Sequence, residues 1–133
     1  MREKPLILLI DDEEIFLEIA SVKLNAEGFE TVITHEVSEA LAKAEELQPD
    51  LVLSDIYMPP GPNGWDLALA LRRNQKTRNI KLAFFTSLRD PLLELQADRE
   101  RVVAEIGRVT FFSKSDDVDT LASGIRALVN LKA

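Results

Sequence analysis

Leu6, Ile7, Leu8, Leu9 and Ile10 form an unbroken apolar run that stops abruptly at Asp11, Asp12, Glu13 and Glu14. Five apolar residues between polar flanks predict a strand buried on both faces, the kind found in parallel sheets. Ile15, Ile19, Val22 and Ala26 then recur at helical spacing, and Gly28 supplies a stop. Glu13 and Glu14 suit the positive end of that helix. The β-branched stretch at 31–34 predicts a second strand. Val37, Ala40, Leu41, Ala44 and Leu47 predict a second helix that ends before Pro49.

The alternation continues to the end of the chain. Residues 51–54 predict a third strand ending at Asp55, followed by a loop, 58–64, rich in proline and glycine. Residues 67–73 predict a helix and 80–85 a fourth strand, closed by Thr86 and Ser87. A longer helix is expected over 91–106, with Pro91 in its first turn. Residues 109–112 predict a fifth strand. Val118, Leu121, Ala122, Ile125, Leu128 and Val129 then mark the stripe of a last helix. Five strands alternating with five helices give an α/β fold, a parallel sheet with helices on both faces.

Composition narrows the possible functions. The chain has 133 residues, 46% hydrophobic and 29% charged, so residues 1–133 read as a single globular domain. The formal net charge of −7 argues against nucleic-acid binding by this domain. There is no cysteine, which excludes disulfides, thiolate nucleophiles and cysteine zinc sites. His35 is the only histidine, so a histidine metal site or a Ser-His-Asp triad has little to draw on. No apolar run suggests a membrane span or a signal peptide, and the expected location is the cytoplasm.

In doubly wound sheets, ligands bind beyond the carboxyl ends of the strands. Those ends carry Asp11 and Asp12, Asp55, Thr86 with Ser87, and Lys114. Crowded carboxylates repel unless a cation neutralises them, and Mg²⁺ suits such hard oxygen ligands. A carboxylate can also attack phosphorus to give an aspartyl phosphate, with a metal, an ammonium and a hydroxyl balancing the charge. Asp11 and Asp12 also suit a strand-ending turn, and Phe111 also suits plain core packing.

Four motifs at the strand ends carry a resemblance: Ile10-Asp11-Asp12, the run from Leu53 through Ser54-Asp55-Ile56-Tyr57-Met58 to Pro59, Thr86-Ser87, and Phe111-Phe112-Ser113-Lys114. With them the chain resembles the receiver domain of two-component response regulators over essentially its whole length. The resemblance implies a flavodoxin-like sheet in the order 2-1-3-4-5. It makes Asp55 the phosphoacceptor and gives Mg²⁺ to Asp11, Asp12, Asp55 and the main-chain carbonyl of Tyr57. Lys114 and Thr86 are the implied partners of the phosphoryl oxygens, and Thr86 with Phe111 the implied switch. The implied donor is a histidine kinase or a histidine phosphotransfer protein. The implied output is a downstream protein, or a missing output domain, on the face of helix four, strand five and helix five. No enzyme activity beyond the domain's own phosphorylation and dephosphorylation is expected, and no nucleic-acid or membrane partner.

The sequence departs from the family pattern in three places. Ser115 follows Lys114 where the family usually has a proline joined by a cis bond. A cis bond before serine costs ~2.5–4 kcal/mol, so a trans or a strained bond is expected. The loop before Gly64 is one residue longer, and the stretch from Thr86 to Lys114 is extended. Among other readings, a haloacid-dehalogenase-type phosphatase needs a second aspartate two residues after its nucleophile, where this chain has Tyr57. A flavodoxin-like cofactor binder lacks its phosphate-cradling loop after strand one. A phosphorylation-independent interaction module on the same fold is the remaining alternative.

Overall fold

A computed structural model describes residues 3–56, 58, 61–86, 99–107 and 109–130. Its elements run β1 (Leu6–Ile10), α1 (Glu14–Ala26), β2 (Glu30–Thr34), α2 (Val37–Leu47), β3 (Leu51–Ser54), α3 (Gly64–Arg73), β4 (Lys81–Thr86), α4 (Arg99–Ile106), β5 (Thr110–Ser113) and α5 (Val118–Asn130). The five strands form one sheet in the order β2-β1-β3-β4-β5, and every neighbouring pair is parallel.

The apolar runs follow from helices covering both sheet faces. Leu8 and Ile10 of β1, Val52 of β3 and Phe84 of β4 pack against α2, α3 and α4. Ile7, Leu9, Leu51, Leu53, Ala83 and Phe85 point to the opposite side, where α1 and α5 lie. Alternate residues of one strand thus enter two separate cores, so β1 is apolar at every position and polar residues such as Ser54 and Thr86 come at the strand ends. In β5, Phe111 joins the first core and Phe112 the second. A Cβ on Gly124 of α5 would stand 2.3 Å from the Phe112 ring, so this glycine makes room for it.

The helix read from the spacing of Ile15, Ile19, Val22 and Ala26 forms as α1, but that stripe is not the face that packs. The stripe Ile15, Ile19 and Val22 is 74%, 52% and 70% exposed, and the helix instead buries Leu17, Ala20 and Leu24. The helix carries apolar residues on two faces. The face shifted by two positions, about 200° of helix rotation, is the one over the sheet. The exposed stripe leaves an apolar shelf formed by Ile19, Val22, Ala26 and, from α5, Val118.

Smaller differences concern boundaries. The third helix starts at Gly64 rather than 67. Asn63 caps it, accepting from the Trp65 and Asp66 main-chain N–H groups at 3.0 and 3.2 Å while Asp66 accepts from the Asn63 N–H. The fourth strand takes in Thr86, and the fifth takes in Ser113. Of the helix expected over 91–106, Arg99–Ile106 is helical, and 91–98 lie outside the described residues. Trp65, although it follows a loop, is buried against Phe84 with ring centroids 4.8 Å apart. Arg72 of α3 ties two elements together. Its Nε donates to the Ile106 carbonyl at the end of α4, and its Nη1 donates to the Ile80 carbonyl before β4, both at 2.9 Å.

Candidate functional site

The site forms where β1, β3, β4 and β5 end. The sheet hydrogen bonding carries on one step past β1 and β3, because the Asp11 N–H donates to Thr34 O at 3.3 Å and the Asp55 N–H to Ile10 O at 2.9 Å. Asp11 is therefore fully buried and Asp55 nearly so, whereas Asp12 and Glu13 lie in the turn, exposed. The carboxylate of Asp11 accepts the Glu13 N–H at 3.1 Å, which folds the turn back over it. Asp55 Oδ1 accepts the Ile56 N–H at 2.8 Å, fixing the carboxylate at the strand end. Gly64 closes the loop beneath, donating its N–H to Ile56 O at 2.7 Å.

Lys114 is placed by the neighbouring strand. Its own N–H donates to Thr86 O at 2.9 Å, extending the β4–β5 ladder by one residue. Its ammonium lies over the paired rings of Phe16 and Phe85, with Nζ 5.1 and 5.5 Å from their centroids. The ammonium then meets three carboxylates: Asp11 Oδ2 at 2.8 Å, Glu13 Oε1 at 2.7 Å and Asp55 Oδ2 at 3.3 Å. Where proline would follow in the family pattern, the Ser115 N–H donates to Ser113 Oγ at 3.1 Å. The two hydroxyl oxygens are 2.6 Å apart. A proline could not donate this bond, so the serine pair supplies a different way of shaping the turn that bears Lys114.

The electrostatics follow from this packing. Burial pushes the Asp55 carboxyl above the usual range, against the pull of the Lys114 ammonium. Asp11 is raised by burial and by the charge of Asp55, with the Lys114 contact opposing. Asp12 is raised by partial desolvation and by its neighbour Asp11. Burial acts to lower Lys114, but Asp11 and Glu13 outweigh it and the ammonium is held well above its ordinary value.

Asp11, Asp12, Glu13 and Asp55 each offer an oxygen within 4.8 Å of the others. Asp11 Oδ2 is buried and, among the described residues, receives no well-directed hydrogen bond, only the charge contact with Lys114. An all-oxygen donor set with an underused buried acceptor fits a hard divalent cation such as Mg²⁺. Tyr57, the expected fourth ligand, lies outside the described residues, as does Ser87.

The other sequence-predicted residues also reach this end of the sheet. Thr86 closes β4 and is buried. Phe111 is half-buried, stacked on Phe84 at 5.7 Å and edge-on to Trp65 at 6.1 Å. Sequence reasoning missed Glu13 as a partner of Lys114. It also gave no role to Ser113, although the Ser-x-Ser spacing around the lysine is a readable turn signal.

Comparison with known proteins agrees with this geometry. Residues 7–126 match the family model described as "Response regulator receiver domain". The chain belongs to that family. Among curated relatives, the DNA-binding response regulator MtrA of Mycolicibacterium smegmatis is 36% identical over 103 residues, 77% of this chain and 44% of that protein. Response regulator PleD of Caulobacter vibrioides is 31% identical over 126 residues, 95% of this chain and 26% of that protein. The receiver chain therefore spans less than half the length of either relative. Among solved structures, a CheY-like receiver domain protein of Methanospirillum hungatei superposes with a TM-score of 0.80 at 22% identity, covering 96% of this chain and 95% of that one. Chemotaxis protein CheY4 of Vibrio cholerae gives 0.79 at 21%, covering 94% and 98%. These two likenesses concern the fold. Among the described residues, no helix of this receiver is long and apolar enough to cross a membrane.

Proposed function

We propose that this receiver domain takes a phosphoryl group onto Asp55 from the phosphohistidine of a histidine kinase or histidine phosphotransfer protein. The observation that carries the reading is the buried Asp55 carboxylate, held between the Lys114 ammonium and a cluster of further carboxylates at one sheet edge. A carboxylate oxygen of Asp55 forms the new bond to phosphorus. The bond from phosphorus to the imidazole nitrogen breaks, and the electron pair leaves with the imidazole.

Asp11, Asp12 and Asp55 would hold Mg²⁺, which when bound offsets the carboxylate charge and that of the incoming phosphoryl group. Lys114 supplies a fixed positive charge to the phosphoryl oxygens, and the Thr86 hydroxyl a hydrogen bond to them. Thr86 moving toward the phosphoryl group opens room for Phe111 to turn further inward, where Phe84 and Trp65 already receive it. The surface of α4, β5 and α5 changes with it and is read by a downstream protein or by an output domain. DNA binding, which the name of MtrA states of that protein, would belong to such a domain, because this one is acidic. The domain works in the cytoplasm and catalyses only its own phosphorylation and dephosphorylation.

Intact-mass measurement after incubation with Mg²⁺ and acetyl phosphate tests this. The expected result is a gain of one phosphoryl group, blocked by EDTA and absent in Asp55→Asn. No gain by the folded protein, with no response to beryllofluoride, would overturn it in favour of a constitutive interaction module.

A further inference from the structure

Lys114 Nζ has three N–H donors and three carboxylate neighbours, Asp11, Glu13 and Asp55, all within 3.3 Å. Its side chain is 9% exposed and its ammonium lies over Phe16 and Phe85, so water has little access to it. A phosphoryl oxygen entering the ammonium's shell competes with these three carboxylates.

Which one leaves follows from burial. Asp11 is fully buried, and its Oδ2 has no hydrogen-bond donor to fall back on among the described residues. Losing Lys114 would strand a charge in the interior. Asp55 is the residue to which the phosphoryl group is attached. Glu13 is 61% exposed and can exchange Lys114 for water at little cost, yet its contact is the shortest of the three at 2.7 Å.

We infer that Glu13 is a positioning residue that holds Lys114 in the unphosphorylated domain and must release it when the phosphoryl group arrives. Resting on the phosphorylation reading above, this makes Glu13 a brake. Its contact favours the unphosphorylated state alone, so it lowers the fraction of domains that carry the phosphoryl group and slows their formation.

The test compares wild type, Glu13→Gln and Glu13→Asp, with acetyl phosphate as donor and Mg²⁺ at saturation so that metal affinity drops out. Glu13→Gln removes the charge; Glu13→Asp keeps it but is one methylene too short for the present contact. Both variants are expected to phosphorylate about two- to fivefold faster than wild type, the size of effect an ion pair with one exposed partner can exert. The reach argument requires the aspartate variant to behave like the glutamine variant. Unchanged or slower rates in Glu13→Gln overturn the brake, and so does an aspartate variant that matches wild type, since charge alone would then be responsible. A wild type that takes no phosphoryl group fails the underlying reading and takes the brake with it. A wild type that is phosphorylated at the same rate as both variants fails the brake alone.

Discussion

A side-chain carbon on Gly64 would stand 2.3 Å from the main-chain oxygen of Asp55 and 2.9 Å from the Cα of Ile56. The obstacle is backbone on the strand that carries the candidate phosphoacceptor, so it cannot yield as a flexible side chain would. Gly64→Ala should therefore lower stability by about 1–3 kcal/mol despite alanine's better helix propensity, read as a fall in the urea midpoint. It should also slow phosphorylation by acetyl phosphate. A midpoint equal to wild type would mean that the third helix can move off the loop freely.

Asp11 sets a pH dependence. Its carboxyl is raised by burial, so between its unfolded and folded values the native state binds more protons than the unfolded chain. The ionised group thus costs stability above its folded pKa, and the cost fades as pH falls through that value toward 3.8. Asp55 contributes with the same sign. Asp11→Asn is expected to stabilise the metal-free domain at pH 7 on the order of 1 kcal/mol, the gain shrinking on acidification. Denaturant melts at pH 7 and near pH 4 would check it, and a destabilised variant at pH 7 would contradict it.

Mg²⁺ should offset the same repulsion. At a tenfold excess over its dissociation constant, a ligand that binds only the folded state adds about 1.4 kcal/mol. Tm is expected to rise with Mg²⁺, to return with EDTA, and to rise less in Asp12→Asn. An equal rise in that variant would remove Asp12 from the ligand set.

Trp65 is the only tryptophan in the chain and is in ring contact with both Phe84 and Phe111. Its Nε1 is buried without a hydrogen-bond partner among the described residues, which predicts blue-shifted emission. Beryllofluoride with Mg²⁺ should change that emission, and Phe111→Ala should abolish most of the change. A full change in the variant would show that Phe111 is not the moving group.

The two faces of the first helix should respond differently to substitution. Leu17→Ala is expected to cost about 2–4 kcal/mol, because Leu17 is fully buried. Ile19→Ser, at an equally regular position in the apolar pattern but half-exposed, should stay within about 0.5 kcal/mol. Comparable losses at both positions would reverse the orientation of the helix.

That contrast also shows where the sequence is readable. Asp11, Asp55 and Lys114 were legible because the apolar runs end beside them: Asp11 follows the run of β1 directly, and Asp55 and Lys114 follow theirs after a single serine. The inner face of the first helix was not legible, since Leu17, Ala20 and Leu24 are spaced as regularly as Ile15, Ile19 and Val22, and only the sheet chooses between them. The first turn of the third helix was hidden by the prolines before it, although Asn63 with Asp66 is a capping signal that chain order does display. Glu13 is 101 residues from Lys114, and no local pattern announces a contact made by an exposed side chain across that separation.

The hydrogen bond from the Lys114 N–H to Thr86 O joins the ammonium-bearing residue to the hydroxyl-bearing one through the main chain. Neither can be displaced along the sheet without drawing the other. Their responses to a change at Asp55 are thereby gated as one event, and relaxation measurements on the two backbones should return a single shared exchange rate.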